Sequence, residues 1–598
     1  MALFAAPDIA RTDRPDGSIL LESRDLLAPY ARSLGDLLRA GSRAHPDRLL
    51  ITRVSGRGPN GGRYTWGEAK DAAHALAQAL LDHGLSADRP LLVLSGNSIE
   101  HALLTYAAYT VGVPVVPIST AYSLASADHA RVRAIAELVR PGLVFADDEK
   151  CYDAALSVVE NAGARAVVCG EPVTGTGRRA FADLLATTPT SAVGAAAATV
   201  RPDSVAKILF TSGSTGVPKG VLNTHQMLCA NQQQMRQVWP FLVQTPPVLV
   251  DWLPWSHTFG GNHNFNMILA NGGTLHIDDG KPVSALFDKT LAALATHSPT
   301  AYFNVPMGYQ MLAPRLESDP EFAERFFSGV SILFYAAASL PTELYHRLRA
   351  IAKDVTGREI PLTSSWGTTE TGPAVTSAHY DPSPSGCIGV PIPGDVLKLV
   401  PTGSKLEIRV KGPNITQGYV GAASATAAAF DDEGFYLTGD AVRFVDPDDM
   451  NLGLLFDGRI AEDFKLLSGT WVSVGNLRTA LVSAAGGLIT DAVIAGHDKD
   501  YVSALAWPSA HALKLTEDQE LRGRLCRVLA DLNRGQGSAA RIERLILLLE
   551  PPVLDAGEIT DKGYVNQRVV LERRHELVAR LYTEDSGADI LRPGGNDK

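Results

Sequence analysis

Cysteine is scarce in this 598-residue chain: Cys151, Cys169, Cys229, Cys387 and Cys526 stand far apart, with no CxxC pair among them. That scatter argues against a disulfide framework or a cysteine zinc site and points to a reducing, cytoplasmic compartment. No apolar run approaches the roughly 18 residues that a membrane span needs. The opening stretch, Met1 to Gly17, lacks the basic start and apolar core of a secretory signal, so a soluble protein is expected. Positive charge is in the minority, with 54 Lys and Arg against 65 Asp and Glu and a formal net charge of −11. No global basic field exists to draw in nucleic acid, so a nucleotide would have to be held by local groups. Internal repeats at the periods of solenoids or propellers are also missing.

What remains is ordinary globular composition, 45% hydrophobic and 20% charged, in a chain too long for one core. Strand-like runs at Arg89 to Gly96, Gly112 to Ser119, Gly142 to Asp148 and Ala164 to Gly170 alternate with helix-like runs at Thr65 to Gly84 and Ala125 to Arg140. This alternation predicts an α/β fold, with helices on both faces of parallel sheets. The Ala-rich segment from Thr190 to Ser204 reads as a connector, and the last stretch, Ser586 to Lys598, as a disordered polar tail. A composition shift after Leu454 to Gly469 separates a large N-terminal region, residues 1–456, from a smaller C-terminal one.

The stretch "KILFTSGSTGVPKGVLNTH", Lys207 to His225, sits between a short buried strand and a helix start near Thr224. Thr211, Ser212, Ser214 and Thr215 supply hydroxyls, Gly213 and Gly216 allow close backbone approach to an anion, and Lys219 adds charge. The combination suits a polyphosphate better than a plain surface turn. It is not a Walker loop: counting from Gly213, the template wants glycine at 218 and a hydroxyl at 220, where Pro218 and Gly220 stand.

Four further stretches carry candidate chemistry, each with a plainer alternative. "SSWGTTETGP", Ser364 to Pro373, sets Thr368 and Thr369 beside Glu370, suited to magnesium and phosphate, or is a polar loop with a solvated carboxylate. "GFYLTGDAVRF", Gly434 to Phe444, puts Asp440 just past a strand end, where an acid can accept from both ribose hydroxyls, or forms a common Thr-Gly-Asp turn. "LPWSHTFGGNHNF", Leu253 to Phe265, contains His257 and His263, residues more often packed than functional; His263 is left unassigned. "GEITDKGYVNQR", Gly557 to Arg568, offers Lys562, by default a solvated surface lysine.

In this order, these motifs resemble the adenylate-forming superfamily of acyl-CoA synthetases, nonribosomal adenylation domains and firefly-type luciferases, over about Ser33 to Arg574. The resemblance implies a large N-terminal domain of doubly wound α/β subdomains plus a distorted β-barrel, and a small mobile α+β C-terminal domain, residues 466–598, that rotates about a hinge within 457–465. It implies ATP and CoA as co-substrates with Mg2+, and a small-molecule carboxylic acid that becomes an acyl-adenylate with release of pyrophosphate. A homodimer stays open. By the same resemblance, Thr211 to Lys219, including Ser212, Gly213, Ser214, Thr215 and Gly216, clasp the β- and γ-phosphates. Ala336, Ala337 and Ala338 line the adenine and acyl pocket, with Trp366 stacking on adenine and Gly367 and Thr368 beside it. Thr369 touches the α-phosphate, Glu370 and Thr211 serve the magnesium, and Asp440 and Arg459 hold the ribose side. His257 stands beside the acyl carboxylate, and Lys562 bridges carboxylate and phosphate in the first half-reaction. The interval from Arg459 to Ser468 is one residue longer than usual, which leaves Ala461, Glu462 and Asp463 as alternative pivots.

At finer grain, "DGRIAEDFKLLSGTWVSVGNLR" and "EITDKGYVNQR" look most like the feruloyl-CoA synthase group, which activates hydroxycinnamic acids. Phe259, Tyr302, Phe303, Met307, Tyr335 and Trp366 are pocket candidates for an aromatic ring, though aromatics also line ordinary cores. Ligases for fatty or other aryl acids are the nearest alternative. A carrier-loading enzyme is more distant, since no phosphopantetheine-serine motif is evident in the chain, and a non-catalytic nucleotide-binding protein is remote.

Overall fold

Strong local signals set the elements that frame the site. Thr65 and Glu68 form a reciprocal capping box that starts the helix Trp66–Asp82, which satisfies two orphan backbone donors at once. The hydroxyl of Thr224 accepts from Met227 N at 3.2 Å and starts His225–Val238. Gly112, in the left-handed region at φ 72°, ends Ile99–Val111, a helix buried on every side. The computed structural model describes residues 2–170, 177–211, 218–381, 383–515, 518–561, 563–583, 587 and 589–594.

The chain divides into two compact units. The first comprises 1–400, 409–438 and 444–455; the second comprises 456–598 together with the short segments 401–408 and 439–443.

Within the first unit, a seven-stranded sheet runs Lys219–Thr224, Val205–Thr211, Val115–Pro117, Leu91–Val93, Leu143–Ala146, Val167–Cys169, Arg179–Ala180. All neighbours are parallel except the first pair. From Leu91–Val93 the chain crosses to one side, then returns to Leu143–Ala146 on the other, so right-handed crossovers put helices on both faces. A second sheet orders Val248–Asp251, Thr274–Ile277, Leu49–Arg53 and Arg63–Thr65. A third begins with the parallel strands Ala301–Asn304, Ile332–Tyr335 and Leu362–Gly367, then continues through antiparallel Ala374–Ser377 and Cys387–Pro391. Antiparallel strands thus extend this sheet beyond its parallel part. The second unit carries a four-stranded sheet, Ile489–Ala495, Val502–Pro508, Ile542–Leu547 and Ile590–Leu591. The helix Val474–Ala484 packs on that sheet, which is the expected α+β character.

Two expectations fail. The Ala-rich connector contains a helix, Ser191–Thr199, whose start is capped by the Thr190 side chain. Alanine is the strongest helix former, and here that preference outweighs a weak apolar pattern. The tail read as disordered contains Ile590 and Leu591, which pair with Ile546 and Leu545 and are buried; two adjacent apolar residues suffice to add this short strand to the sheet.

Candidate active site

The phosphate-type loop is anchored at both ends. Thr211 closes one strand and Lys219 opens the next, and the two are direct cross-strand partners. Ser212, Gly213, Ser214, Thr215 and Gly216 lie outside the described residues. On the free side of Lys219–Thr224, Leu222 N donates to Gly418 O at 3.1 Å and Val420 N to Gly220 O at 2.8 Å. This short pairing brings Tyr419 alongside the lysine, whose Nζ lies 5.3 Å from the Tyr419 ring centroid.

Tyr419 links the lysine to the next motif, since its hydroxyl donates to Glu370 Oε1 at 3.1 Å and lies 3.5 Å from the Tyr436 hydroxyl. Burial and the nearby Glu370 carboxylate push the Tyr419 phenol up to about 12 and raise Tyr436 as well. Both rings therefore stay neutral and able to donate across the physiological range. Glu370 belongs to the single 3-10 turn Thr369–Thr371 and is buried with Thr369. Its carbonyl accepts from Thr416 N at 2.7 Å. Behind the turn, Asn414 Nδ2 donates to Thr371 O and Ala374 O at 2.8 and 2.9 Å, and Asn231 Nδ2 donates to Ala374 O at 2.7 Å. The loop is thus held from two elements distant in sequence. Gly367 cannot be replaced without moving backbone, because a Cβ there would stand 1.8 Å from Pro373 O.

Trp366 precedes that glycine in the strand Leu362–Gly367 and is 8% exposed, while Thr368 N donates to Thr371 Oγ1 at 2.8 Å. After the strand Ile332–Tyr335, Ala336 is half-buried and Ala337 and Ala338 are exposed. Ala337 has φ +76°, a left-handed conformation uncommon for a residue with a Cβ. Strain of this kind concentrates at functional loops.

In the second unit, Asp440 is buried, and Arg459 Nε approaches its Oδ1 at 3.4 Å. On the carboxyl side of Arg459, Asp463 pairs with Lys405, whose Nζ also donates to Asp457 O at 2.6 Å. Lys562 lies outside the described residues. On either side of it in sequence, Ile559 and Val565 form an antiparallel bridge, and Thr560 N donates to Tyr564 O at 2.8 Å.

His257 is half-buried and accepts on Nδ1 from Phe259 N at 3.3 Å. It leads into a π-helix, Phe259–Asn264. The pocket candidates do not share one wall. Phe259 and Phe303 pack with Phe334 in the main core, at ring distances of 5.6 and 5.2 Å from it. Tyr302 and Tyr335 belong to a second cluster with Tyr309 and Leu312, and Met307 is 51% exposed. Neighbouring residues on a strand face opposite sides, which is why Tyr302 and Phe303 separate.

Comparison with known proteins decides the family: AMP-binding enzymes match over residues 38–420, and the AMP-binding enzyme C-terminal domain over 465–586. The chain belongs to the AMP-binding enzymes. It is 25% identical to a carboxylic acid reductase of Mycobacterium marinum over 582 residues, 88% of this chain and 47% of that protein, so it spans about half the reductase's length. It is 28% identical to 4-coumarate–CoA ligase 2 of Oryza sativa subsp. japonica over 422 residues, 67% of this chain and 70% of the ligase. Other relatives are named long-chain and medium-chain fatty-acid CoA ligases. A crystal structure of the anthranilate CoA ligase AuaEII with anthranoyl-AMP shares the fold at TM-score 0.71 and 18% identity, covering 92% of this chain and 99% of that one.

For this AMP-binding enzyme, sequence reasoning missed Tyr419 and Tyr436, which complete the Glu370 cluster. For Tyr419 the signal was present in "GPNITQGYV", Gly412 to Val420, a turn-rich stretch with Tyr419 as its one aromatic. The unassigned His263 is a buried member of the aromatic core, stacked on Phe334 at 5.6 Å, with Nδ1 paired to Asn264 Oδ1 at 2.9 Å. Burial holds its imidazole down at about 4, below its ordinary value near 6.5, so the fold requires the neutral ring. Its contribution is intact above pH 6.5 and is lost as pH falls towards 4. Between pH 7 and 5, urea unfolding of the wild type is expected to lose about 2 kcal/mol more stability than that of His263→Phe. Equal losses would show that the ring is not the titrating group.

Proposed function

We propose that the chain joins a carboxylic acid to CoA at the expense of ATP, through an acyl-adenylate, and that the acid is a hydroxycinnamate such as ferulate or coumarate. The observation that carries the reading is the continuous cluster Lys219, Tyr419, Glu370 and Tyr436 beside the anchored ends of the phosphate-type loop. A carboxylate oxygen of the acid attacks the α-phosphorus of ATP, the bond from that phosphorus to the bridging oxygen breaks, and pyrophosphate leaves. CoA sulfur then attacks the acyl carbon, the thiol proton is given up, and AMP departs.

In this reading Lys219 and the loop hold the departing pyrophosphate and His257 borders the carboxylate. Asp440 and Arg459 take the ribose side, and Lys562 neutralises charge building between carboxylate and phosphate. The hinge lies within 457–465, where Asp457 and Asp463 flank Arg459. No cluster of three His, Cys, Asp or Glu side chains able to hold a metal exists among the described residues. A single buried carboxylate, Glu370, suits magnesium, which keeps several waters and is held through one or two carboxylates and substrate phosphates. Bound there, the ion would offset phosphate charge, while Tyr419 keeps the carboxylate oriented.

The aromatic acid is favoured by the motif resemblance; Phe259, Phe303 and Phe334 form an aromatic cluster in the core behind His257. Mass spectrometry of products from cinnamic, benzoic and fatty acids, each with ATP and magnesium and with or without CoA, tests it. Feruloyl- or coumaroyl-CoA together with AMP is the expected outcome. Thioesters from fatty acids alone would overturn the choice of acid, and adenylates that never reach CoA would overturn the acceptor.

A further inference from the structure

Lys207 breaks the apolar pattern of the strand that ends at Thr211 and the phosphate-type loop. Its side chain is buried in the core, at 2% exposure. Nζ donates to Gly261 O at 2.8 Å and lies 5.8 and 5.7 Å from the ring centroids of Tyr109 and Phe265. Burial alone brings the ammonium down to about 7, with no carboxylate contributing. An ion without a counter-ion costs several kcal/mol to bury, and nothing in strand preference asks for lysine there.

Its partner explains the position. Residues Phe259–Asn264 form a π-helix, a geometry that interrupts the ordinary ladder of backbone hydrogen bonds. Three successive carbonyls of this segment accept from side chains. Gly261 O takes Lys207, while Asn262 O and His263 O take Gln232 Nε2 at 3.1 and 3.2 Å. Gly261 N in turn donates to His257 O at 2.7 Å. The segment also presses on the Leu253–Trp255 backbone, since a Cβ on Gly261 would stand 2.2 Å from Trp255 O. Lys207 lies on the strand before the phosphate-type loop and Gln232 on the helix His225–Val238 that follows the strand after it, so elements from before and after the loop both hold the segment.

We infer that Lys207 is a positioning residue that locks the π-helix, and with it His257, to the strand carrying the phosphate-type loop, so that the acid is presented in register with the α-phosphate of ATP. The functional half of this inference rests on the proposed role of His257; the mechanical half does not. Methionine at 207 keeps the packing and removes the donor. In the full chain, Lys207→Met is expected to raise the KM for the acid about tenfold in pyrophosphate exchange, as loss of one buried donor implies, with the KM for ATP within about twofold. Hydrogen exchange is expected to quicken in peptides covering 256–265 and to stay unchanged in the strands of the C-terminal unit. If that variant does not accumulate as folded protein, Gln232→Met removes the opposing donor and should give the same pattern. Unchanged exchange in 256–265 would overturn the clamp. So would equal rises in both KM values with faster exchange throughout, which would mark a merely structural lysine. A wild type inactive with every acid would sink the proposed function, while hydrogen exchange would still decide the clamp.

Discussion

Lys562→Ala is expected to slow acyl-adenylate formation by about 10²–10³-fold while leaving thioester formation from pre-formed acyl-adenylate within a few-fold of wild type. The magnitude is that of removing one preorganised group at the point where transition-state charge develops, about 2.7–4 kcal/mol. The asymmetry arises because charge accumulates between carboxylate and phosphate only in the first half-reaction. Around Lys562 in sequence, Ile559 and Val565 form a bridge, and Glu558 pairs with Arg574 at 3.0 and 2.9 Å. Single-turnover assays of each half-reaction check the asymmetry, and undiminished adenylation would remove Lys562 from the chemistry.

Glu370→Gln carries the second-largest expected effect. The amide preserves shape and can still accept from the Tyr419 hydroxyl, so folding should survive; what disappears is the one buried negative charge of the cluster. Pyrophosphate exchange at millimolar magnesium is expected to fall by about 10²-fold, roughly 2.7 kcal/mol, with the half-saturating magnesium concentration shifted upward. Tyr419→Phe, which leaves the carboxylate and removes its donor, should cost less, about tenfold, in keeping with a hydrogen bond to a charged group. A magnesium titration across both variants checks the order. Equal behaviour of Glu370→Gln and wild type would mean that the carboxylate is structural only.

The elements that depend on neighbouring residues were legible from sequence alone. Period and capping place the helix Trp66–Asp82 and the strands Leu91–Val93 and Leu143–Ala146 within the expected runs, because those signals are local. Glu370 was legible because it lies on a turn just after the strand Leu362–Gly367, where turn residues mark it. Thr211 and Lys219, by contrast, end and open strands, and Asp440, expected just past a strand end, lies inside the strand Tyr436–Phe444, because the Thr-Gly-Asp run continues the strand. Tyr419 was not legible, because its place depends on an edge pairing with Val221, far back in the chain. Lys207 hid inside a run that reads as a buried strand, since an apolar average absorbs one lysine. Tyr302 and Phe303 were grouped by composition although strand alternation already separates them. The helix Ser191–Thr199 was passed over because it is small and Ala-rich with a single Val, which gives propensity but almost no periodicity.

The measurement that bears most directly on the central claim is acid-dependent exchange of labelled pyrophosphate into ATP by the full chain, without CoA. The account predicts exchange that requires both magnesium and a carboxylic acid, is strongest with ferulate or coumarate, and vanishes when the acid is omitted. Absence of exchange with every acid, or exchange that proceeds equally without one, would contradict it.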